Sequence, residues 1–145
     1  MTGFAEDLVA ICRSFGVFER GNVCCGTVSV PQCVALQALL ESEREVSDLA
    51  GIVGITTSAM TRLADGLETK GWVARTRSGE DRRRVALALT PAGREEARRL
   101  RGLTERSVAA LLGRIPREKR RAVLESVHLL REAIEEWRWE CGGGG

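Results

Sequence analysis

No stretch of this chain approaches the roughly eighteen consecutive apolar residues that a membrane-spanning helix requires. Its first residues include Glu6 and Asp7, where a secretory leader would carry positive charge, so a cytoplasmic protein with no membrane partner is expected. Histidine occurs once, at His128, with no partner motif beside it. There is no Cys-x-x-Cys, no Cys-His pair in sequence and no glycine-rich nucleotide loop, which removes the signatures of thiol redox enzymes, cysteine nucleophiles and nucleotide-dependent enzymes. The expectation is a protein that is not an enzyme and requires no cofactor. An excess of one charge is also lacking: 22 basic residues stand against 20 acidic ones, and a net charge of +2 does not by itself point to nucleic acid. The 145 residues suffice for one domain with a core but are few for two.

The charge is unevenly placed. Residues 1–50 hold three basic side chains (Arg13, Arg20, Arg44) against seven acidic ones (Glu6, Asp7, Glu19, Glu41, Glu43, Glu45, Asp48), so positive charge collects in the middle of the chain and beyond. Within residues 46–90, Val46 to Val53 has short helical periodicity, Gly54 makes a turn, and Thr56 can cap a second helix over residues 57–70. Met60, Leu63, Ala64 and Leu67 share one face of that helix, while Ser58, Thr61, Arg62 and Asp65 occupy the other. Hydroxyls near a helix start, with an arginine one turn in, suit a helix whose N-terminus enters a DNA major groove and whose arginine pairs with guanine. An ordinary surface helix shows the same pattern, so the helix alone does not decide.

The residues after it carry more weight. Gly71 stands where a helix end wants a positive φ, residues 72–77 can form a strand, residues 78–81 turn, and residues 85–89 return. Between Lys70 and Arg84 there are six basic residues (Lys70, Arg75, Arg77, Arg82, Arg83, Arg84) against two acidic ones (Glu80, Asp81). A basic hairpin directly after a second helix can lay arginines along phosphates or into a narrow minor groove. The residues expected to touch double-stranded DNA are Ser47, Thr57, Ser58, Thr61, Arg62, Arg77, Arg82, Arg83 and Arg84.

Here the chain resembles a known family. Asp81-Arg82-Arg83-Arg84-Val85-Ala86-Leu87-Ala88-Leu89-Thr90-Pro91-Ala92-Gly93 is similar to the wing signature of the MarR family of winged helix-turn-helix regulators: Asp-x-Arg, an alternating apolar strand, then Leu-Thr-x-x-Gly. Upstream, Ser58-Ala59-Met60-Thr61-Arg62-Leu63, Leu67-Glu68 and Lys70-Gly71-Trp72-Val73 are similar to that family's recognition helix and its exit, in the right order and spacing. The resemblance covers nearly the whole chain. It implies a mainly α fold with a small β-wing in one domain over residues 1–145, with a winged helix-turn-helix lobe over residues 30–90. It further implies that terminal helices at residues 1–20 and 91–140 form a homodimer. A twofold dimer presents two recognition helices about one DNA turn, roughly 34 Å, apart, so the expected target is a pseudo-palindromic operator.

Flanking the winged lobe, Phe4, Leu8, Ile11, Cys12 and Phe15 recur at helical spacing, giving a first helix over residues 3–18 with Cys12 as a small hydrophobe on its buried face. Residues 19–33 read as a loop in whose last part Ser29 caps a second helix and Pro31 enters its first turn, with Val34, Leu36, Leu39 and Leu40 forming that helix's core face. Pro91 opens a long helix to residue 113, with Ala97, Leu100, Leu103, Ala110 and Leu111 on its apolar side. A last helix over residues 117–139 carries Val123, Val127, Leu130, Ile134 and Trp137 as a seam for a second copy of the chain. Cys141 and residues 142–145 read as a flexible tail.

Cys24, Cys25 and Cys33 gather around the start of the second helix. A reducing cytosol disfavours a permanent disulfide, and a helix N-terminus favours thiolate. Three readings stand open. The thiols hold a thiophilic species such as trivalent arsenic or antimony, or mercury, as inducer; or they oxidise; or they only pack. No His, Asp or Glu lies between Cys24 and Cys33, so a tetrahedral zinc site would need a ligand from elsewhere. Members of the resembled family bind effectors or oxidise cysteines near the junction of dimer helices and winged lobe, and the same place here holds these cysteines. A regulator answering a small organic inducer, and a constitutive DNA-binding protein with inert cysteines, are the remaining alternatives.

Overall fold

The structure is a computed structural model that describes residues 2–14, 23–25, 28–77 and 84–142. Two units are distinguished, Met1–Leu103 and Thr104–Gly145. Among the described residues no helix is long and apolar enough to cross a membrane.

In the first unit, helix α1 (Thr2–Ser14) presents Phe4 and Ile11 to solvent, and Cys12 is half-buried rather than buried. The predicted continuation of α1 through residue 18, including Phe15, lies outside the described residues. The segment read as a loop instead contains two short antiparallel strands, β1 (Val23–Cys25) and β2 (Val28–Ser29), with Val23 opposite Ser29 and Cys25 opposite Val28. β-branched valines on both sides favour that pairing, and β1 and β2 both lie against the next helix.

That helix, α2 (Val30–Glu41), starts as its sequence prescribes. The Gln32 N–H donates to the Ser29 hydroxyl (3.3 Å), and the Ser29 N–H donates to the Gln32 side-chain oxygen (3.1 Å), a reciprocal cap with Pro31 in the first turn. Leu36 and Leu39 are buried as expected, whereas Val34 is exposed and Cys33 and Ala35 take the core positions.

Helix α3 (Val46–Val53) ends where the Gly54 N–H donates to the Ala50 carbonyl (2.8 Å), and Thr56 caps helix α4 (Thr57–Thr69) by accepting from the Ala59 N–H (3.2 Å). A thirteen-residue helix in water is marginal on propensity alone; α4 is fixed by burying Met60, Ala64 and Leu67 completely, the two larger side chains contributing about 1.5–3 kcal/mol each. Gly71, at φ 74°, then turns the chain into strand β4.

The wing sheet has three strands where the sequence suggested two. Strand β3 (Arg44–Glu45) pairs with β5 (Val85–Leu89), which pairs with β4 (Val73–Arg77), all antiparallel in the order β3-β5-β4. Leu87 lies opposite both Arg44 and Arg75, so the middle strand holds the finger to the residues just before α3.

Helix α5 (Pro91–Gly113) begins at a knot of contacts. The Thr90 hydroxyl donates to the Gly71 carbonyl (2.6 Å) and accepts from the Gly93 N–H (3.0 Å), while the Thr90 N–H donates to the Trp72 carbonyl (3.0 Å). Ala97 and Leu100 complete the core with Leu36, Leu49, Leu67 and Leu87. Gln37 ties α2 to α5 by donating to the Ala97 carbonyl (2.8 Å) and accepting from Arg101 (3.0 Å).

In the second unit, Pro116 opens a 3₁₀ turn (Arg117–Lys119) before helix α6 (Arg120–Gly142), so the last α-helix starts at Arg120 and not at the predicted residue 117. Proline favours such a tight entry, and Arg120 closes it by donating to the carbonyls of Ile115 (3.0 Å) and Gly113 (3.3 Å). Helix α6 continues through Cys141 and Gly142, two residues assigned to a tail; residues 143–145 are outside the described set.

Candidate nucleic-acid interface

One concave surface of the first unit collects many of the residues expected to meet DNA. A cleft of about 700 Å³ lies between the start of α3, the polar face of α4 and the base of the wing, and Ser47, Thr57, Thr61 and Arg84 all line it. Each arrives by a different route. Ser47 stands in the first turn of α3, and Thr57 and Thr61 stand one turn apart on α4, where the Thr61 hydroxyl donates back to the Thr57 carbonyl (3.0 Å). Arg84 is delivered by the approach to β5. Ser58 and Arg62 are exposed on α4, and Arg77 is exposed at the end of β4. Arg82 and Arg83, at the expected finger tip, lie outside the described residues.

Two acids that the DNA-facing set left out, Glu45 and Asp65, also line the cleft, and Glu68 stands beside it on α4. Glu45 pairs with Arg84 at 3.1 Å. Asp65 and Glu68 both pair with Arg75, at 2.5 and 2.6 Å. The guanidinium of Arg75 has its pKa raised, first by the hydrogen bond to Asp65 and then by the charge of Glu68 and Asp65. Arg75 thus departs from the expectation that it belongs to a phosphate-seeking finger: its charge is spent on α4. The signal was in the sequence, because Val73 faces the core and a strand returns to the same face two residues later. The Glu45 to Arg84 pair was not readable in the same way, since it depends on the register of β3.

The cysteines divide. Cys33 is 7% exposed within the apolar core, on the first turns of α2. Cys24 and Cys25 fall on β1, against α2, with their side chains outside the described set. Among the described residues no cluster of His, Cys, Asp or Glu is fit to hold a metal ion. In α6, Val127 (59%), Trp137 (62%) and Ile134 (40%) are exposed, and Val123 and Leu130 are half-buried. His128 sits 3.1 Å from Glu132, a partner one turn on that the sequence reading had not assigned.

A helix-turn-helix joined to a β-wing, with hydroxyls and arginines opening on one cleft, defines a winged helix-turn-helix DNA-binding protein. The model of the MarR family matches residues 28–85. An uncharacterized HTH-type transcriptional regulator of Bacillus subtilis (strain 168), YfiV, is 36% identical over 118 residues, which span 78% of this chain and 71% of that protein. Among solved structures, the transcriptional regulator BldR from Sulfolobus solfataricus superimposes with a TM-score of 0.72 at 26% identity, covering 91% of this chain and 94% of that one. Streptococcus pneumoniae FabT, solved in complex with DNA, gives a TM-score of 0.78 at 22% identity, covering 94% and 98%. The chain belongs to the MarR family. It is a DNA-binding transcriptional regulator and not an enzyme.

Proposed function

We propose that the protein is a homodimeric cytoplasmic repressor that binds a pseudo-palindromic operator and is released when Cys24, Cys25 and Cys33 take up trivalent arsenic or antimony, or mercury. The cleft carries the DNA part of this reading: its hydroxyls and arginines come from the start of α3, from α4 and from the wing, as an element entering the major groove beside a backbone-tracking finger requires. The exposed apolar residues of α6 support pairing with a second copy. For the thiols, the support is adjacency: β1, bearing Cys24 and Cys25, lies against the helix whose first turns bear Cys33. Each thiol would displace one hydroxyl of arsenous acid as water, with no change of oxidation state. A coupling of about 1–3 kcal/mol between this site and the DNA-bound form changes operator affinity five- to 150-fold.

The burial of Cys33 favours a second reading, in which the thiols only pack and the inducer is a small organic molecule.

Arg62→Ala is expected to reduce discrimination between operator and scrambled duplex by about 1–3 kcal/mol, measured by titration of both DNAs. Wild-type discrimination in that variant would mean that α4 does not read bases. The reduced wild-type protein, titrated with arsenite, antimonite, mercuric ion and peroxide, should lose operator affinity with a thiophilic ion. Single serine variants at Cys24, Cys25 and Cys33 should abolish that loss. Release by peroxide alone would shift the reading to cysteine oxidation, and indifference to every agent would favour the organic inducer.

A further inference from the structure

We infer that Arg75 is a positioning residue for DNA recognition: from β4 it braces the polar face of α4 through Asp65 and Glu68, and so sets the angle between recognition helix and wing. The inference rests on reading this face as the DNA interface.

Three observations carry it. First, the guanidinium uses separate nitrogens for the two carboxylates, at 2.5 and 2.6 Å, and one of them also approaches the Thr61 carbonyl at 3.5 Å. A planar fork spread over two turns of a helix restrains rotation as well as distance, which a single contact cannot do. Second, one positive charge lies between two negative ones, leaving no surplus to neutralise a phosphate. Arg84 differs: Glu45 lies 3.1 Å from it, and its side chain is 61% exposed against 32% for Arg75. Third, the bonds from Thr90 to the Gly71 and Trp72 carbonyls and the buried Val73 hold only the base of β4, and Arg75 ties the strand to α4 beyond that anchor. The five residues of β4 make an arm of about 17 Å, so a rotation of about 10° at its base moves the far end by about 3 Å. A displacement of that size takes the finger off a phosphate.

Exposed ion pairs contribute little to stability, so the brace should show in recognition and not in melting temperature. The test compares Arg75→Gln, and separately the double substitution Asp65→Asn with Glu68→Gln, with wild type, by titrating operator and scrambled duplex over a series of salt concentrations. Both variants are expected to lose about tenfold in operator-to-scrambled discrimination, and combining them should add little. In Arg75→Gln the slope of log affinity against log salt should stay at the wild-type value. A slope reduced by about 0.9, with discrimination unchanged, would identify Arg75 as a phosphate contact and overturn the inference. Unchanged discrimination in the carboxylate variant would overturn it as well, and that variant decides the matter if Arg75→Gln fails to fold. A wild-type protein that does not discriminate between the two duplexes would instead remove the DNA reading, and the inference with it.

Discussion

Replacing Gly93 by alanine lowers the stability of the first unit by about 3 kcal/mol or more. A Cβ built at Gly93 lies 1.8 Å from the Trp72 carbonyl oxygen and 2.6 Å from its carbon. These are main-chain atoms, so no side chain can swing aside; the start of α5 has to move. That movement breaks the bonds that meet there, from the Gly93 N–H to the Thr90 hydroxyl, from that hydroxyl to the Gly71 carbonyl, and from the Thr90 N–H to the Trp72 carbonyl. Overpacking alone costs about 1–3 kcal/mol and each lost hydrogen bond about 1 kcal/mol more. Urea unfolding of Gly93→Ala beside Gly113→Ala, whose added Cβ meets nothing within 4 Å, isolates the clash from helix propensity. A loss no larger than in the Gly113 variant would mean that the junction of α5 and Trp72 has room to relax.

On the proposed dimer, placing aspartate at both Val127 and Ile134 should yield a monomer and weaken operator binding by about 10²- to 10⁴-fold. Both side chains are substantially exposed in the single chain, at 59% and 40%, so the substitutions remove little packing from the monomer. In a paired seam they would bury carboxylates beside apolar groups, a cost of several kcal/mol per unpaired charge. The factor in DNA affinity follows from losing the second recognition helix, whose binding is intramolecular once the first has docked. Sedimentation would report the mass, and titrations of full and half operators would report the affinity. A variant that remained dimeric would place the interface away from the α6 seam.

Much of the fold was legible, for identifiable reasons. The spacing of Met60, Leu63, Ala64 and Leu67, the cap at Thr56 and the positive φ at Gly71 are local properties, and each is where periodicity and capping chemistry put it. Strand β3 was not legible, because two charged residues cannot display alternation; Arg44 and Glu45 become a strand only by pairing with Leu87 and Ala86. The hairpin of β1 and β2 was hidden by the same shortness. In α2, apolar residues occupy nearly every side of the helix, so periodicity could not choose a face; Val34 was assigned inward and Cys33 proved to be the buried one. The candidate site was legible as a set of cations and hydroxyls on the helices and wing. Its internal ion pairs were not: Arg75 was counted among the finger cations, and the structure pairs it with Asp65 and Glu68 instead.

Strand β2 and helix α2 meet with no linker, since Ser29 is the last residue of one and the cap of the other. Its position opposite Val23 is set by the sheet, while its hydroxyl and its N–H are both committed to Gln32. The short sheet bearing Cys24 and Cys25 and the first turn of α2 therefore share one residue, as the two arms of a bell-crank share a corner.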